Sequence, residues 1–323
     1  MESMGRYERT RDRKQPHGCW VSLLVPARRG QNLSDAVRPP RPVHAAPAVS
    51  QDATRRPVGA AETRSANRSW WDGEAEDYHA EHGAFLGDSD FVWGPEGWTE
   101  AELDLLGVRD GMTVLEIGSG AAQCSRWLAR THRGLRVVAT DLSMGMLRTA
   151  RRIDTTTTDL HPRSEAGRGV PLLQCDGQAL PLGDETVDRV FTAYGVIPFV
   201  ADSGAVLAEA ARVLRPGGRF VFSTSHPVRW AFPDDPGPNG LTATTSYFDR
   251  TPYVESEAGV VTYAEHHRTL GDLVRQVVAA GLVLTDLVEP EWPARTEATW
   301  GGWSPLRGRL LPGTAILVAD RPG

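Results

Sequence analysis

The residues with the clearest chemical potential are an acid and two glycines at the end of a short apolar run. In the stretch VLEIGSG at 114–120, Glu116 lies within the apolar run, and Gly118 and Gly120 follow it. Glycine has no Cβ, so such a turn lets the backbone approach a ligand closely. A carboxylate at this point disfavours a bound pyrophosphate and suits a ligand that carries an ammonium group. The pattern predicts a binding turn between a buried strand and a helix.

Several classes of nucleotide site use a glycine turn, so the neighbouring residues must separate them. The NAD type requires a third glycine, but Gln123 stands at that position. A second apolar run, residues 136–140, ends in Asp141, near the offset expected for an acid that holds a ribose. A third run, residues 170–174, is followed shortly by Asp176. Because ligands bind at the carboxyl ends of the strands in an open α/β sheet, the three acids predict one ligand site.

Four motifs occur in the order and spacing of a known family. They are VLEIGSG at 114–120, VVATDLS at 137–143, LLQCDGQALPL at 172–182 and VLRPGGRFVFS at 213–223. Through these motifs, from about Val114 to Thr224, the chain resembles the class I S-adenosylmethionine-dependent methyltransferases, specifically the type 11 methyltransferase domain. The resemblance implies a methyltransferase with S-adenosylmethionine as cofactor. The chain departs from the family at Ala122, where many relatives carry another glycine.

The resemblance also implies cofactor-binding roles. Glu116 would help hold the amino group of the methionine part, and Asp141 would bind the ribose hydroxyls. Asp176 would accept a hydrogen bond from the adenine amino group, while Leu142 and Met146 would pack on the adenine. The complete set of expected cofactor-binding residues is Glu116, Gly118, Ser119, Gly120, Asp141, Leu142, Met146, Asp176, Gly177, Gln178 and Tyr194.

In-line methyl transfer requires alignment of nucleophile and methyl group, exclusion of water and, for a poor nucleophile, removal of a proton. Two residues are predicted to be catalytic. His226 directly follows a predicted strand and has the best position for a base. Tyr78 lies in an early segment where relatives close an aromatic residue over the cofactor. The other candidate bases are His79, His82, His266 and His267. A structural role is the alternative for each of these residues.

Two segments outside the strand–helix alternation are predicted to cover the site. Residues 67–110 are expected to form an N-terminal helical cap. Residues 226–267 are expected to form a lid, with hairpin strands at 245–254 and 260–266. The predicted acceptor-binding residues in these segments are Trp93, Trp230 and Tyr247. The tryptophans favour an apolar or aromatic acceptor, although they could also pack a small subdomain.

Strands and crossover helices alternate from Val114 to Phe222, which predicts an α/β fold with a doubly wound parallel sheet. The resemblance implies seven strands in a Rossmann-like, mainly parallel arrangement whose last strand is antiparallel. Helices are predicted at 100–106, 121–132, 143–152, 202–214 and 269–280, and later strands at 282–288 and 314–319. The whole domain is expected to span residues 67–323.

Residues 1–66 are predicted to be a disordered basic tail, because they are rich in arginine and lack apolar periodicity. A basic arm that binds nucleic acid or acidic lipid is the alternative. The formal net charge of the chain is −6, so the part beyond this tail is acidic, and no nucleic-acid partner is expected. No run approaches a membrane span or a secretion signal, which predicts a cytoplasmic protein without a membrane partner. The three cysteines fit no metal site, and no metal is predicted.

The leading functional hypothesis is methyl transfer to a small-molecule acceptor at oxygen, nitrogen or carbon. An RNA or protein methyltransferase is the first alternative, and a non-catalytic adenosylmethionine-binding protein is the second. The Asn/Asp-Pro-Pro-Tyr/Phe motif of adenine and glutamine N-methyltransferases is replaced by TAYG at 192–195, which argues against that chemistry. The sequence leaves the acceptor and the oligomeric state open.

Overall fold

A computed structural model describes residues 51–156, 169–299 and 301–323 of the chain. The strands in this part are β1 (Gln51–Arg55), β2 (Thr113–Ile117), β3 (Arg136–Asp141), β4 (Leu172–Gln174), β5 (Val187–Thr192), β6 (Leu214–Ser225), β7 (Tyr253–Glu257), β8 (Val260–Glu265), β9 (Val283–Val288) and β10 (Thr314–Asp320). The α-helices are α1 (Ala60–Leu86), α2 (Glu100–Leu103), α3 (Gln123–Thr131), α4 (Met144–Thr156), α5 (Ser203–Val213), α6 (Leu270–Ala279) and α7 (Pro305–Gly308). Short 3₁₀ turns lie at Ile197–Phe199, Pro227–Ala231 and Pro238–Leu241.

The main sheet of the described residues has seven strands in the order β4-β3-β2-β5-β6-β10-β9. The strands from β2 to β6 pair in parallel. Strand β10 is antiparallel to both of its neighbours, β6 and β9. The predicted doubly wound, mainly parallel sheet with an antiparallel last strand is therefore confirmed. The chain order reverses between β2 and β5, which is the point where such sheets bind ligands.

Both faces of this sheet are covered, because its central strands are apolar on both sides. Side chains alternate between the faces of a strand, so neighbouring residues of β2 enter different cores. Leu115 packs with Val206 of α5 and Val277 of α6. Val114 packs on the opposite face, with Leu128 of α3. The two cores hold the carboxyl ends of the strands in place.

The expected start of the ordered part near Asn67 is wrong for residues 51–66, which form β1 and the beginning of α1. Strand β1 pairs antiparallel with β7, from Gln51 opposite Glu257 to Arg55 opposite Tyr253. Together with β8 these strands form a separate three-stranded sheet. A strand whose partner is so distant in the chain leaves no local pattern of its own. Residues 1–50 lie outside the described residues.

The first strand of the hairpin and helix α2 are shorter than predicted. The hairpin is present, but its first strand covers only Tyr253–Glu257 instead of residues 245–254. Helix α2 ends at Leu103, where residues up to 106 were predicted to be helical. The carboxylate of Glu100 explains this early end, because it accepts the backbone N–H groups of Leu105 and Leu106 at 3.1 and 2.8 Å and so replaces the helical bonds. No helix of the described residues is both long and apolar enough to cross a membrane.

Candidate functional site

A cavity lies at the carboxyl ends of β2, β3 and β5, beneath helix α1. Its floor consists of the turns that follow these strands and the turn after β4, and its roof is one side of α1. Among the roof residues are Asn67, Trp71, Tyr78 and His79. The spacing of Asn67, Trp71 and Tyr78 brings residues from several turns of the helix to one face, and His79 lies at the edge of that face. The three predicted strand-end turns are thus brought together, as the sequence led us to expect.

The glycine turn after β2 approaches the turn after β5 closely. Gly118 and Gly120 have φ angles of 68° and 53°, and a Cβ on Gly118 would overlap Cγ2 of Val196. Between them, the hydroxyl oxygen of Ser119 is buried without a hydrogen-bond partner and lines the cavity. Ala122 has a φ of 60°, which explains why glycine is favoured there in relatives. The turn therefore exposes backbone and one hydroxyl to a ligand.

Glu116 projects from β2 into the cavity wall with 2% of its surface exposed. Oε2 accepts hydrogen bonds from the hydroxyl and the backbone N–H of Ser125, the latter at 3.1 Å. Burial nevertheless raises the pKa of Glu116 to about 8. A carboxyl group with this pKa is mainly protonated at neutral pH. A cation bound next to it would favour the ionised form.

Asp141 connects the turns after β2 and β3. Oδ2 accepts the N–H of Gly120 and Oδ1 accepts the N–H of Ser143, both at 2.8 Å. Burial raises the pKa of Asp141 to about 6, so the carboxylate is mostly ionised at neutral pH. Each carboxylate oxygen can accept a further hydrogen bond. Asp141 lines the cavity and can receive two neighbouring hydroxyl groups there.

The turn after β4 is arranged differently from the expectation. In the described structure the wall includes Cys175 and Gly177 but not Asp176 or Gln178. Oδ1 of Asp176 accepts the backbone N–H and the side-chain amide of Gln178 at 2.9 and 3.2 Å. Oδ2 pairs with Nε of Arg64 on α1 at 2.9 Å. Because its own turn and the roof helix already use this carboxylate, an adenine-binding role stays a prediction.

The remaining expected cofactor residues, Leu142, Met146 and Tyr194, belong to the wall. Tyr194 has a φ of 60°, and its backbone N–H donates to the hydroxyl of Ser223 at 2.7 Å. Burial raises the pKa of the Tyr194 hydroxyl, so this group is a neutral hydrogen-bonding group at neutral pH. Val196 has a φ of 51°, which is strained for a β-branched residue. The turn after β5 is therefore held in a specific conformation at the cavity.

His226 does not take part in the cavity wall of the described residues, and its role as the base stays a prediction. Nε2 lies 2.7 Å from Oε1 of Glu289, and Nδ1 accepts the backbone N–H of Val228 at 3.1 Å. Burial lowers the pKa of His226. Both ring nitrogens serve the local structure at the end of β6. Among the histidines that the structure describes, His79 of α1 lines the cavity.

The three expected acceptor-binding aromatics also lie outside the wall of the described cavity. Trp93 is fully buried in the core, where Nε1 donates to Oε2 of Glu100 at 3.0 Å. Trp230 packs with Tyr253 and other aromatics under the hairpin. The hydroxyl of Tyr247 accepts the first N–H of α6 at 2.8 Å. Each side chain therefore stabilises a local element, and an acceptor-binding role for any of the three stays a prediction.

The covering element is α1, and the hairpin supports it. The side-chain amide of Asn67 donates to the backbone oxygens of Phe199 and Ala264 at 2.7 and 2.9 Å, and its oxygen accepts the N–H of Ala264 at 2.9 Å. Asn67 thus joins α1 to the 3₁₀ turn after β5 and to β8. The sequence did not predict that Asn67 and Phe199 line the cavity. They reach the cavity wall only because α1, the turn after β5 and β8 pack together, and these segments are far apart in the chain. Tyr78 is part of the wall, and its catalytic role stays a prediction.

The chain is similar to known proteins along most of its length. The sequence model of the family described as "Methyltransferase domain" matches residues 115–222. A demethylmenaquinone methyltransferase of Mycolicibacterium paratuberculosis is 33% identical over 237 residues, which cover 70% of this chain and 83% of that protein. A ubiquinone/menaquinone biosynthesis C-methyltransferase of Acidiphilium cryptum is 38% identical over 124 residues, 38% of this chain and only 46% of that protein.

The chain is also similar in fold to proteins whose structures have been solved. The geranyl diphosphate C-methyltransferase of Streptomyces coelicolor has a TM-score of 0.55 with this chain, at 16% identity. The match covers 82% of this chain and 100% of that one. At this identity the likeness demonstrates the fold alone.

Proposed function

Because this chain belongs to the class I S-adenosylmethionine-dependent methyltransferases, we propose that its methyl acceptor is a small hydroxyaromatic molecule of the quinol class, methylated at a ring carbon. The observation that carries the proposal is the aromatic roof of the cavity. Trp71 and Tyr78 of α1 and Phe199 of the 3₁₀ turn line the cavity. The relatives named above, which act on demethylmenaquinone or in ubiquinone and menaquinone biosynthesis, support this acceptor class.

The residues around the cavity fit the cofactor of the family. The buried hydroxyl of Ser119, which lacks a partner, and the carboxyl of Glu116 suit the polar end of a methionine group. Asp141 retains acceptor capacity for the two ribose hydroxyls, and Leu142 and Met146 offer an apolar surface for adenine. When bound, S-adenosylmethionine supplies a methyl group that is already electrophilic, because it is attached to a sulfonium cation.

The roof residues can hold a flat acceptor and keep water out. The rings of Trp71 and Tyr78 meet edge to face with centroids 5.3 Å apart, and those of Trp71 and Phe199 with centroids 5.6 Å apart. Such packed rings present apolar faces and edges, on which an aromatic acceptor can stack. Removal of water strengthens the interactions of the charged groups in the cavity. A quinol suits these walls because its rings are apolar and only its hydroxyl groups are polar.

An acceptor assay tests the proposal with the full chain and S-adenosylmethionine labelled in the methyl group. The acceptors are demethylmenaquinone reduced with dithionite, a catechol as a hydroxyl acceptor, and transfer RNA. We expect label in the ring of the reduced quinone, located by mass spectrometry of the reoxidised product, and none in RNA. Transfer to RNA alone, or to the catechol oxygen alone, would overturn the proposal. Asp141→Ala is the control for cofactor-dependent transfer.

A further inference from the structure

We infer that His79, oriented by Asp88, is the catalytic base that removes a hydroxyl proton from the acceptor. The inference rests on the proposed function, because only a hydroxylated acceptor needs this step. His79 lines the cavity, and its Nε2 lies 3.5 Å from Oδ1 of Asp88. A histidine with one nitrogen turned to a carboxylate has the geometry of a general base.

The helix presents this histidine to the cavity and leaves space for its ring. Gly83 lies one turn later, and a Cβ there would be 3.2 Å from Cε1 of His79, tighter than an ordinary contact. His82, the other histidine of α1, is 2% exposed and packs on the ring of Tyr78 with centroids 4.5 Å apart. His82 therefore serves the packing of α1, and His79 is the histidine of this helix that borders the cavity.

A buried arginine, Arg126, fixes the backbone of Asp88 relative to the glycine turn. Nε of Arg126 donates to the backbone oxygen of Asp88 at 2.8 Å, and Nη1 donates to the backbone oxygen of Ala121 at 2.6 Å. Ala121 directly follows Gly120 and lines the cavity. The charge of Arg126 is balanced by Asp154 at 3.6 Å, and both side chains are almost fully buried. Arg126 is thus a positioning residue that couples the base to the cofactor turn.

The proton transfer follows from this arrangement. Because Nε2 faces Asp88, Nδ1 is the ring nitrogen left to accept a proton. The acceptor O–H bond breaks, the proton joins Nδ1, and the electron pair stays on oxygen, from which it raises the electron density of the ring carbon. Asp88 stabilises the resulting imidazolium. After methylation the ring carbon releases its proton to solvent, and His79 returns a proton to the oxygen, which restores both groups.

Several titratable or charged groups share this environment and must be considered in a pH profile. They are Asp88 and Arg126 behind His79, Tyr78 and His82 on the same helix, and Glu116, Asp141 and Tyr194 on the turns. Only the loss of His79 should remove the acid limb of kcat. Variants of the turns should instead change the affinity for the cofactor.

The kinetic test uses His79→Gln, Asp88→Asn and the control His132→Gln, which changes a histidine at the end of α3 outside the cavity wall. The acceptor is reduced demethylmenaquinone. For His79→Gln we expect kcat to fall by about 10² to 10⁴-fold, the acid limb to vanish and adenosylhomocysteine affinity to stay unchanged. Asp88→Asn should also lower kcat, because the imidazolium formed in this step loses its anionic neighbour. A halogenated quinol with a more acidic hydroxyl should partly restore the rate of His79→Gln. An unchanged kcat profile in His79→Gln overturns the inference.

A measurement without acceptor separates this inference from the proposed function. Nitrogen NMR of the histidine rings should show neutral His79 with its proton on Nε2, and a weaker preference for this tautomer in Asp88→Asn. If neither is seen, the base assignment fails whatever the acceptor is. If both are seen and the reduced quinone is not methylated, the proposed acceptor class fails and the oriented base stands.

Discussion

Glu116 should make cofactor binding depend on pH, and Glu116→Gln should remove that dependence. Burial raises the pKa of this carboxyl to about 8, so in the free protein it must lose a proton before it can pair with the ammonium of the ligand. Below this pKa the ionised fraction changes about tenfold per pH unit, equivalent to about 1.4 kcal/mol. Affinity for adenosylhomocysteine should therefore rise up to about tenfold from about pH 6.5 to about pH 7.5.

The pH range of this experiment is limited by the pKa values of Asp141 and of the ligand amino group. Asp141 has a pKa of about 6, so it is largely ionised throughout. A ligand amino group with a pKa of about 8 stays mainly protonated. Titration calorimetry in buffers of different ionisation enthalpy should detect release of about one proton per ligand near neutral pH. In Glu116→Gln the release should disappear, with affinity at the upper pH about 10 to 100-fold weaker, because a bond to a charged group is lost.

Two results would refute this reasoning. The first is a wild-type affinity that does not change over this pH range, which would mean that Glu116 is already ionised in the free protein. The second is a Glu116→Gln variant that keeps the pH slope and the proton release, which would assign them to another group. Thermal unfolding of the variant without ligand shows whether the substitution has disturbed the fold.

Three further predictions concern the cofactor turn, the chain start and the core. Asp141→Ala should weaken adenosylhomocysteine binding about 10 to 100-fold in calorimetry, since unpaired polar groups cost about 1–3 kcal/mol; an unchanged Kd would remove the ribose assignment. Deletion of residues 1–50 should leave Tm unchanged, whereas deletion of residues 1–66 should lower it, because the latter removes β1 and the first turns of α1; equal Tm values would contradict this. Trp93→Ala should destabilise the protein by about 3–5 kcal/mol in denaturant unfolding, because the side chain is fully buried. A small loss of stability with a raised acceptor KM would instead place Trp93 in the acceptor site.

The main sheet was largely predictable because its patterns are local. The parallel strands contain short apolar runs that are followed by turns, and each crossover helix lies between two such runs. Parallel strands buried on both faces read as continuous apolar stretches. The family motifs add the strand order and the antiparallel β10. By contrast, β1 reads as part of a polar tail, since its strand character depends on pairing with β7.

In the candidate site, too, some residues were predictable from local patterns and others were not. Glu116 and Asp141 were identified because each lies at the end of its own strand, and such ends converge in a parallel sheet. His226 was chosen by the same rule, but its ring nitrogens are used by Glu289 and Val228. Trp93 was chosen for its residue type, which does not distinguish a core side chain from a wall side chain. A residue's position next to a strand end therefore predicts where its backbone lies. It does not predict the direction in which its side chain points.

The sequence by itself determined the fold class, the cofactor family and the turns that carry the acids, because these depend on residues within a few positions of one another. The tertiary structure alone decided which residues close the cavity. Helix α1 lies over the turns because Asn67 binds β8 and because Arg64 pairs with Asp176. These contacts join segments that are far apart in the chain. The face that α1 turns to the cavity, and with it the position of His79, follows from their combined packing.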